Sequence, residues 1–480
     1  MKKNYIYNLL LSVINILFPV LSFPYAAHIL GPAAIGKVQF VISFAQYFAI
    51  FAALGIPIYG IKETAKHRGN PNELAKVVTE ISSIFFISSI LFTVVYAGII
   101  FSIPFFRKEI ELYIYAGILI LFGFTCYDWF FSGIEEFKNI TLRSIVIKAM
   151  ALIALYLFVR TEKDMKPYLF ITLFSIVGYQ ILSSLFVLKK TTLSFHNINL
   201  YKHIAPLLYL FSGTVVSSMY TIFDTVLLGF LSNNKAVGLY TAAVKIIRIT
   251  LPFVTSLGAI LIPSISKNVA DNEDGKVQEL LTKSFNFFVL LAIPLSVGLY
   301  LLSPEIILLF SGKKFLNAVS SMQILSVLPV LVGFGHLFAF QILVPFGKNK
   351  EMFLSMFGGL TVSLLLNFLL VPSYLQVGAA IANISAECIV TLSYLYFIKK
   401  RSIAVNFKWH LLLQAITSSI IFIPVIYFIR KLTNNIVINI SLSVLINVAI
   451  YFLIQIFIFK NNFAATLLRL AQNKILFKYK

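Results

Sequence analysis

Thr241, Lys245 and Arg248 stand at i, i+4 and i+7 inside a stretch that is otherwise almost wholly apolar. On a helix that spacing puts all three on one face. A charge at the centre of a bilayer costs about 2.5–3.5 kcal/mol on insertion scales, so each one calls for an explanation. A guanidinium offers five donors in a fixed fork, which suits a phosphate or pyrophosphate, and lysine adds a compact second cation. The chemistry these residues offer is anion binding at depth.

Other polar side chains follow the same rule. Gln39, Ser43 and Gln46 repeat the i, i+4, i+7 spacing some 202 residues earlier, without the charge. Asn15, with Ser12 and Ser22, marks the apolar stretch before them, and Thr214, Ser217, Thr221 and Asp224 mark the one before Lys245. Four stripes, two in each half, are expected to face a shared water-filled cavity. Asp224 and Lys245 lie about equally far from the turn at 232–237, so they either neutralise each other as packing or serve the cavity separately. Arg248 falls one turn deeper, about 15 Å from the outer end, and is the favoured ligand contact.

The remaining ionisable groups are less specific. Asp128 beside Trp129 reads as an interfacial anchor, while Glu387 and Lys148 either couple to an ion or snorkel. His28 reads as a satisfied interfacial histidine rather than a proton switch. Gly31-Pro-Ala-Ala-Ile-Gly36-Lys37-Val38 approaches the phosphate-loop spacing but ends in Val38, where Ser or Thr would bind Mg²⁺, and it follows no strand. Neither a metal-ligand cluster nor a catalytic triad is recognisable, so no catalytic residue, no metal and no cofactor is expected.

Elements that hold such groups must cross a membrane. Hydrophobic residues make up 59% of the 480 and charged residues 12%, with mean hydropathy +0.91, far from a soluble domain's balance. Apolar runs of roughly 20 residues, the length that spans a hydrocarbon core about 30 Å thick, recur along the chain. They begin near Tyr5, Val38, Ile81, Tyr113, Thr141, Pro167, Ile204, Val237, Thr282, Val319, Met352, Val377, Trp409 and Ile438. The expected fold is an all-α polytopic membrane protein of about fourteen helices. A barrel would need alternating ten-residue segments, which the sequence lacks. The first run imitates a secretion signal, with Lys2 and Lys3 ahead of it, but it is long and another span follows at once, so it is kept as a helix.

Counted loop by loop, 25 of the 39 Lys and Arg fall on the side that holds the termini and 11 on the other, with Lys148, Lys245 and Arg248 inside spans. The positive-inside rule then places both termini in the cytoplasm of a multi-pass inner-membrane protein. The net charge of +21 is spread over short loops, which suits topology and anionic headgroups, and no nucleic acid partner is expected. Cys126 and Cys388 fall far apart within spans and read as packing residues.

Shifting the sequence by 202 to 203 residues lays its second half on its first: Gly36 meets Gly238, and the segment from Lys76 to Phe85 meets the one from Glu279 to Phe288. Six spans per unit make this a parallel repeat about an axis along the membrane normal. The expected organisation is two six-helix lobes, 1–190 and 191–401, followed by two extra helices and a basic cytoplasmic tail over 402–480.

The residues also resemble a known family. Pro24-Tyr25 through Leu30-Gly31-Pro32 is similar to the Pro-Tyr…Leu-Gly-Pro signature of bacterial polysaccharide repeat-unit flippases. Asp128-Trp129-Phe130-Phe131-Ser132-Gly133-Ile134-Glu135 resembles their Asp-Trp-Phe-Phe-Gln-Gly-Ile-Glu segment. Asp224 to Gly229, Val237 to Lys245, Pro372, Gly378 to Asn383 and Glu387 match as well, and the likeness fades after about Arg401. His28 and Ser132 depart from the residues many relatives carry, Arg and Gln, which leaves the charge of the outer rim open. The resemblance implies the O-antigen flippase branch of the multidrug/oligosaccharidyl-lipid/polysaccharide exporter superfamily. It further implies translocation of undecaprenyl-pyrophosphate-linked oligosaccharide from the cytoplasmic to the periplasmic leaflet, driven by a proton or sodium gradient. Partners would be the lipid-linked glycan, membrane lipids, and the polymerase and chain-length proteins of the same pathway. A drug or cation antiporter of the same superfamily would favour acidic residues in the cavity. A membrane polymerase or ligase would carry a large periplasmic loop, absent from this topology.

Overall fold

The computed structural model describes residues 2–196, 198–403 and 405–466, and leaves the side chains of 2, 3, 5 and 212–222 outside that description. Among the described residues every regular element is a helix, as backbone polar groups surrounded by hydrocarbon require. Among the described residues eleven helical runs are long and apolar enough to cross a membrane. By contacts the chain divides into two units, Met1–Thr241 and Ala242–Lys480.

The first unit is built on α1 (Lys2–Ala53), against which α3 (Pro71–Ser102), α5 (Ile110–Leu121), α7 (Phe137–Phe158), α8 (Met165–Val187) and α9 (Tyr201–Leu231) pack. Short helices α2 (Ile56–His67), α4 (Pro104–Arg107) and α6 (Asp128–Gly133) join them. The start of α10 (Asn234–Ala270) completes the unit. Asn70 accepts from the backbone N–H of Asn72 and Glu73 at 3.1 and 3.4 Å and so starts α3, with Pro71 at its first position. An apolar core gathers Tyr59, Phe85, Trp129, Phe130 and Phe131 where α2, α3 and α6 meet.

The second unit holds the rest of α10, then α11 (Asp274–Leu301), α12 (Ser303–Ser311), α13 (Val319–Leu325) and α14 (Leu328–His336), which passes into a π-helical stretch at Leu337–Leu343. After these come α15 (Asn349–Lys400), α16 (His410–Ile420), α17 (Phe422–Leu432) and α18 (Ile436–Leu453), the last ending in a π-helical turn at Ile454–Ile458. α11 packs on α14 and α16, and α17 on α18.

α1 consists of two helices that meet at a kink at Gly31 (φ 75°, ψ 175°), in keeping with separate spans expected from Tyr5 and Val38. Gly31 takes a conformation closed to most side chains, and Pro32 after it has no N–H to continue the ladder. α15 is likewise two helices that meet at Leu375, next to the span expected from Val377. The span expected from Tyr113 is instead divided: α5 ends at Leu121 and α6 starts at Asp128.

Glycine permits the closest crossing in the first unit. A Cβ on Gly36 would lie 1.8 Å from the carbonyl oxygen of Asn234, and one on Gly238 would lie 1.9 Å from that of Pro32. Pro32 and Asn234 are 202 residues apart, as are Gly36 and Gly238. The contact is therefore reciprocal: each glycine faces the carbonyl that stands four residues before the other.

Candidate functional site

α10 carries the cationic stripe as one unbroken helix through Thr241, Lys245 and Arg248. Thr241 is buried, and its hydroxyl has no hydrogen-bond partner. Lys245 is half-buried and Arg248, one turn on, is exposed. The progression along the face is from a packed threonine to an accessible guanidinium.

The stripe on α1 also holds together. The Gln39 amide donates to the Ser43 hydroxyl at 3.0 Å, Ser43 is buried and Gln46 half-buried. Farther back on α1, Asn15 accepts a hydrogen bond from Lys148 of α7. That contact amends the view of the first half as polar but uncharged. Its cation comes from a neighbouring helix, which periodicity along α1 cannot register.

Asp224 is buried near the end of α9 and accepts from the Tyr240 hydroxyl at 3.1 Å. The side chains of Thr214, Ser217 and Thr221 lie outside the described residues. Glu387 is half-buried in α15. His28 is exposed at the helix break, its Nδ1 2.8 Å from the Pro24 carbonyl.

Asp128 is more than an interfacial anchor, since its carboxylate sits 3.4 Å from the Arg143 guanidinium. Arg143, counted from sequence among the loop charges, is 3% exposed inside α7, lies over the Phe131 ring at 4.4 Å, and donates to the Asn139 carbonyl at 2.9 Å. α7 starts at Phe137 rather than Thr141, which draws Arg143 into the helix. Lys37, also assigned to a loop, is buried and pairs with Glu109 while donating to the Tyr113 hydroxyl at 3.4 Å.

Two features were not read from the sequence. Glu80 in α3 is fully buried and accepts from Lys202 at 2.7 Å, from His203 at 2.9 Å and from the backbone N–H of Asn199 at 2.8 Å. His203 is also 2.6 Å from the Tyr59 hydroxyl, so α2, α3 and the start of α9 close around one carboxylate. The second feature is a ladder on α18 and the turn after it: Asn439, Ser443, Asn447, Tyr451 and Gln455, all buried and four residues apart. The four-residue period stands in the sequence, in spans that lie outside the 202-residue repeat. Ser443, Asn447 and Tyr451 border an otherwise apolar cavity of about 370 Å³, walled by Leu290, Pro294 and Leu299 of α11. Among the described residues no three His, Cys, Asp or Glu are grouped to hold a metal.

The helical architecture is that of a membrane transporter. It superposes on the lipid II flippase MurJ in an inward closed conformation with a TM-score of 0.75, over 96% of this chain and 99% of that one, at 16% identity. On an inward-facing multidrug resistance MATE family transporter of the MOP superfamily the TM-score is 0.63, over 81% and 96%, also at 16% identity. A protein of Escherichia coli (strain K12) named for O-antigen transport is 25% identical over 411 residues, 84% of this chain and 98% of its own length.

The chain belongs to the polysaccharide biosynthesis protein family, whose model matches residues 1–269. It is a multi-pass membrane transporter, not an enzyme.

Proposed function

We propose that this transporter turns undecaprenyl-pyrophosphate-linked oligosaccharide repeat units from the cytoplasmic to the outer leaflet by alternating access. A sugar headgroup cannot cross hydrocarbon unaided, so a hydrated path carries it while the polyprenyl tail stays in lipid. The observation that carries the reading is the α10 stripe, with Arg248 accessible on a helix that is apolar for most of its length. Its guanidinium takes the pyrophosphate in a bidentate grip and Lys245 adds charge. Within the first unit Lys148 and Asn15 form a second polar contact inside the helices. An ion gradient supplies the energy, with Asp224 and Glu387 as the carboxylates available to couple it.

Loss of a bidentate charge-assisted contact is expected to reduce export by about tenfold to a hundredfold, the equivalent of roughly 1.5–3 kcal/mol. Arg248→Ala then inserts normally but loses surface polysaccharide and leaves lipid-linked oligosaccharide on the cytoplasmic leaflet. Arg248→Lys recovers part of the loss, because the charge returns without the fork. Full export by Arg248→Ala at normal membrane abundance would remove the pyrophosphate role.

A further inference from the structure

A second cavity, polar and of about 200 Å³, lies beyond the end of α18 and at the start of α16. Its wall brings three basic side chains together, Lys408, His410 and Lys460, with the carboxamides of Asn286, Gln414 and Asn462, and no carboxylate stands among the described residues that line it. The loops there belong to the face that the charge count marks as cytoplasmic. The Asn286 oxygen is buried without a hydrogen-bond partner, and rotation of the amide presents its N–H₂ in the same place.

The frame that holds this wall is closely determined. Gln278 of α11 donates to the Asn406 carbonyl at 2.6 Å and accepts from the Asn406 N–H at 3.0 Å, which fixes the loop ahead of Lys408. Phe407 stacks on Phe285 with centroids 4.8 Å apart, and Trp409 stacks on Phe334 at 6.0 Å. Lys408 and His410 flank Trp409 and turn to the cavity instead. On the other side, the π-helical turn and the left-handed conformation of Lys460 (φ 49°) redirect the chain. Asn461 then accepts from the N–H of Phe463 and Ala464 at 3.1 and 3.2 Å and donates to Gln455 at 3.1 Å. A strained turn held by three side-chain hydrogen bonds places its lysine deliberately. The 11-residue helix α16 also points its N-terminus here, adding positive potential.

We propose that this cavity binds a phosphate-bearing anion, the headgroup of an anionic lipid in the adjoining leaflet. The continuity of α11 between the two cavities argues for a lipid over a free anion. Asn286 of α11 lines the polar cavity and Phe287, next in sequence, lines the apolar one, which α18 also borders with Tyr451 and Phe452. A polar head and an apolar chain thus find neighbouring surfaces along α11, the first against α16 and the turn after α18, the second against α18. The site is distinct from the α10 stripe and fastens the C-terminal helices to the lipid around them.

The test uses the full chain in detergent with phosphatidylglycerol as probe, retained lipid being counted by native mass spectrometry against phosphatidylcholine. A lysine near an anionic headgroup is worth about fivefold in binding, so Lys408→Gln with Lys460→Gln should lower phosphatidylglycerol retention about 25-fold. Lys399→Gln with Lys400→Gln makes the same change in net charge on the same face outside the cavity, and should alter retention little. Asn286→Leu changes no charge and should still weaken retention severalfold. Equal losses in the two lysine pairs, no preference over phosphatidylcholine, or unchanged retention in Asn286→Leu would each overturn the site. Displacement of the lipid by millimolar inorganic phosphate would keep the anion chemistry and assign it to the free ion.

Discussion

The crossing of α1 and α10 at Gly36 and Gly238 gives a perturbation whose size follows from the geometry. In Gly238→Ala the new methyl would begin 1.9 Å from the Pro32 carbonyl oxygen, whereas ordinary contact begins near 3.4 Å, so the helices must part by about 1.5 Å. The obstacle is backbone, which no rotamer change relieves. Gly36→Ala meets the Asn234 carbonyl from 1.8 Å and demands the same separation. Overpacking of this kind costs about 1–3 kcal/mol. Gly98 and Gly358 have open space where a Cβ would stand, and alanine there should be neutral or, by helix propensity, stabilising by up to about 1 kcal/mol.

Because the contact is reciprocal, a second alanine enters a crossing that the first has already opened. The double variant should therefore lose less than the sum of the two singles. Thermal unfolding of the detergent-solubilised protein reads the stability, and surface polysaccharide at matched expression reads transport. Singles that behave like Gly98→Ala would refute the close approach. Strictly additive losses would refute the reciprocity of the crossing.

The Lys148–Asn15 contact predicts that Lys148→Met lowers export severalfold at normal abundance while Asn15→Leu lowers it less, since the lysine keeps its charge; equal export from all three proteins would place the pair outside the transport path. Glu80→Leu removes the acceptor shared by Lys202, His203 and the Asn199 N–H. Breaking a buried set of this kind costs about 3–5 kcal/mol, and trypsin cleavage after Lys189 and Lys190 should quicken as the segment ahead of α9 loosens. An unchanged cleavage rate would show that Glu80 does not hold that segment.

What the sequence disclosed and what it hid have separate physical causes. Hydropathy revealed the helices because the bilayer imposes one length and one hydrogen-bonding solution on every crossing. The α10 stripe was legible because its three residues share one helix, where spacing alone sets direction. Lys148 and Asn15 are 133 residues apart, so their meeting depends on how α7 packs on α1, which no local period encodes. Arg143 was misplaced because a charge near a span's end looks like a loop residue until its partner, Asp128, is found. The divisions within α1 and α15 were legible as separate spans beginning near Val38 and Val377, but the residues that take the kinks, Gly31 and Leu375, are marked by their dihedral angles alone, which composition does not register.

Charges within the helices divide by the company they keep. Arg143 with Asp128, Lys37 with Glu109 and Glu80 with Lys202 are opposite charges brought together by packing, and each partner lowers the cost of burying the other. Lys245 and Arg248 are also like charges three residues apart on one helix, where they repel by a few tenths of a kcal/mol in water and by more in a drier setting. An anion that reaches both cations removes that repulsion and gains two attractions, so it should stabilise the folded protein by linkage. Inorganic pyrophosphate in the millimolar range should accordingly raise the Tm of a Lys408→Gln, Lys460→Gln protein, in which the cytoplasmic-side cavity is already disabled. Adding Arg248→Gln should abolish the rise, and adding Lys245→Gln should reduce it. An equal rise with Arg248 removed would mean that pyrophosphate binds elsewhere, and no rise in the parent would mean that the stripe does not bind it at all.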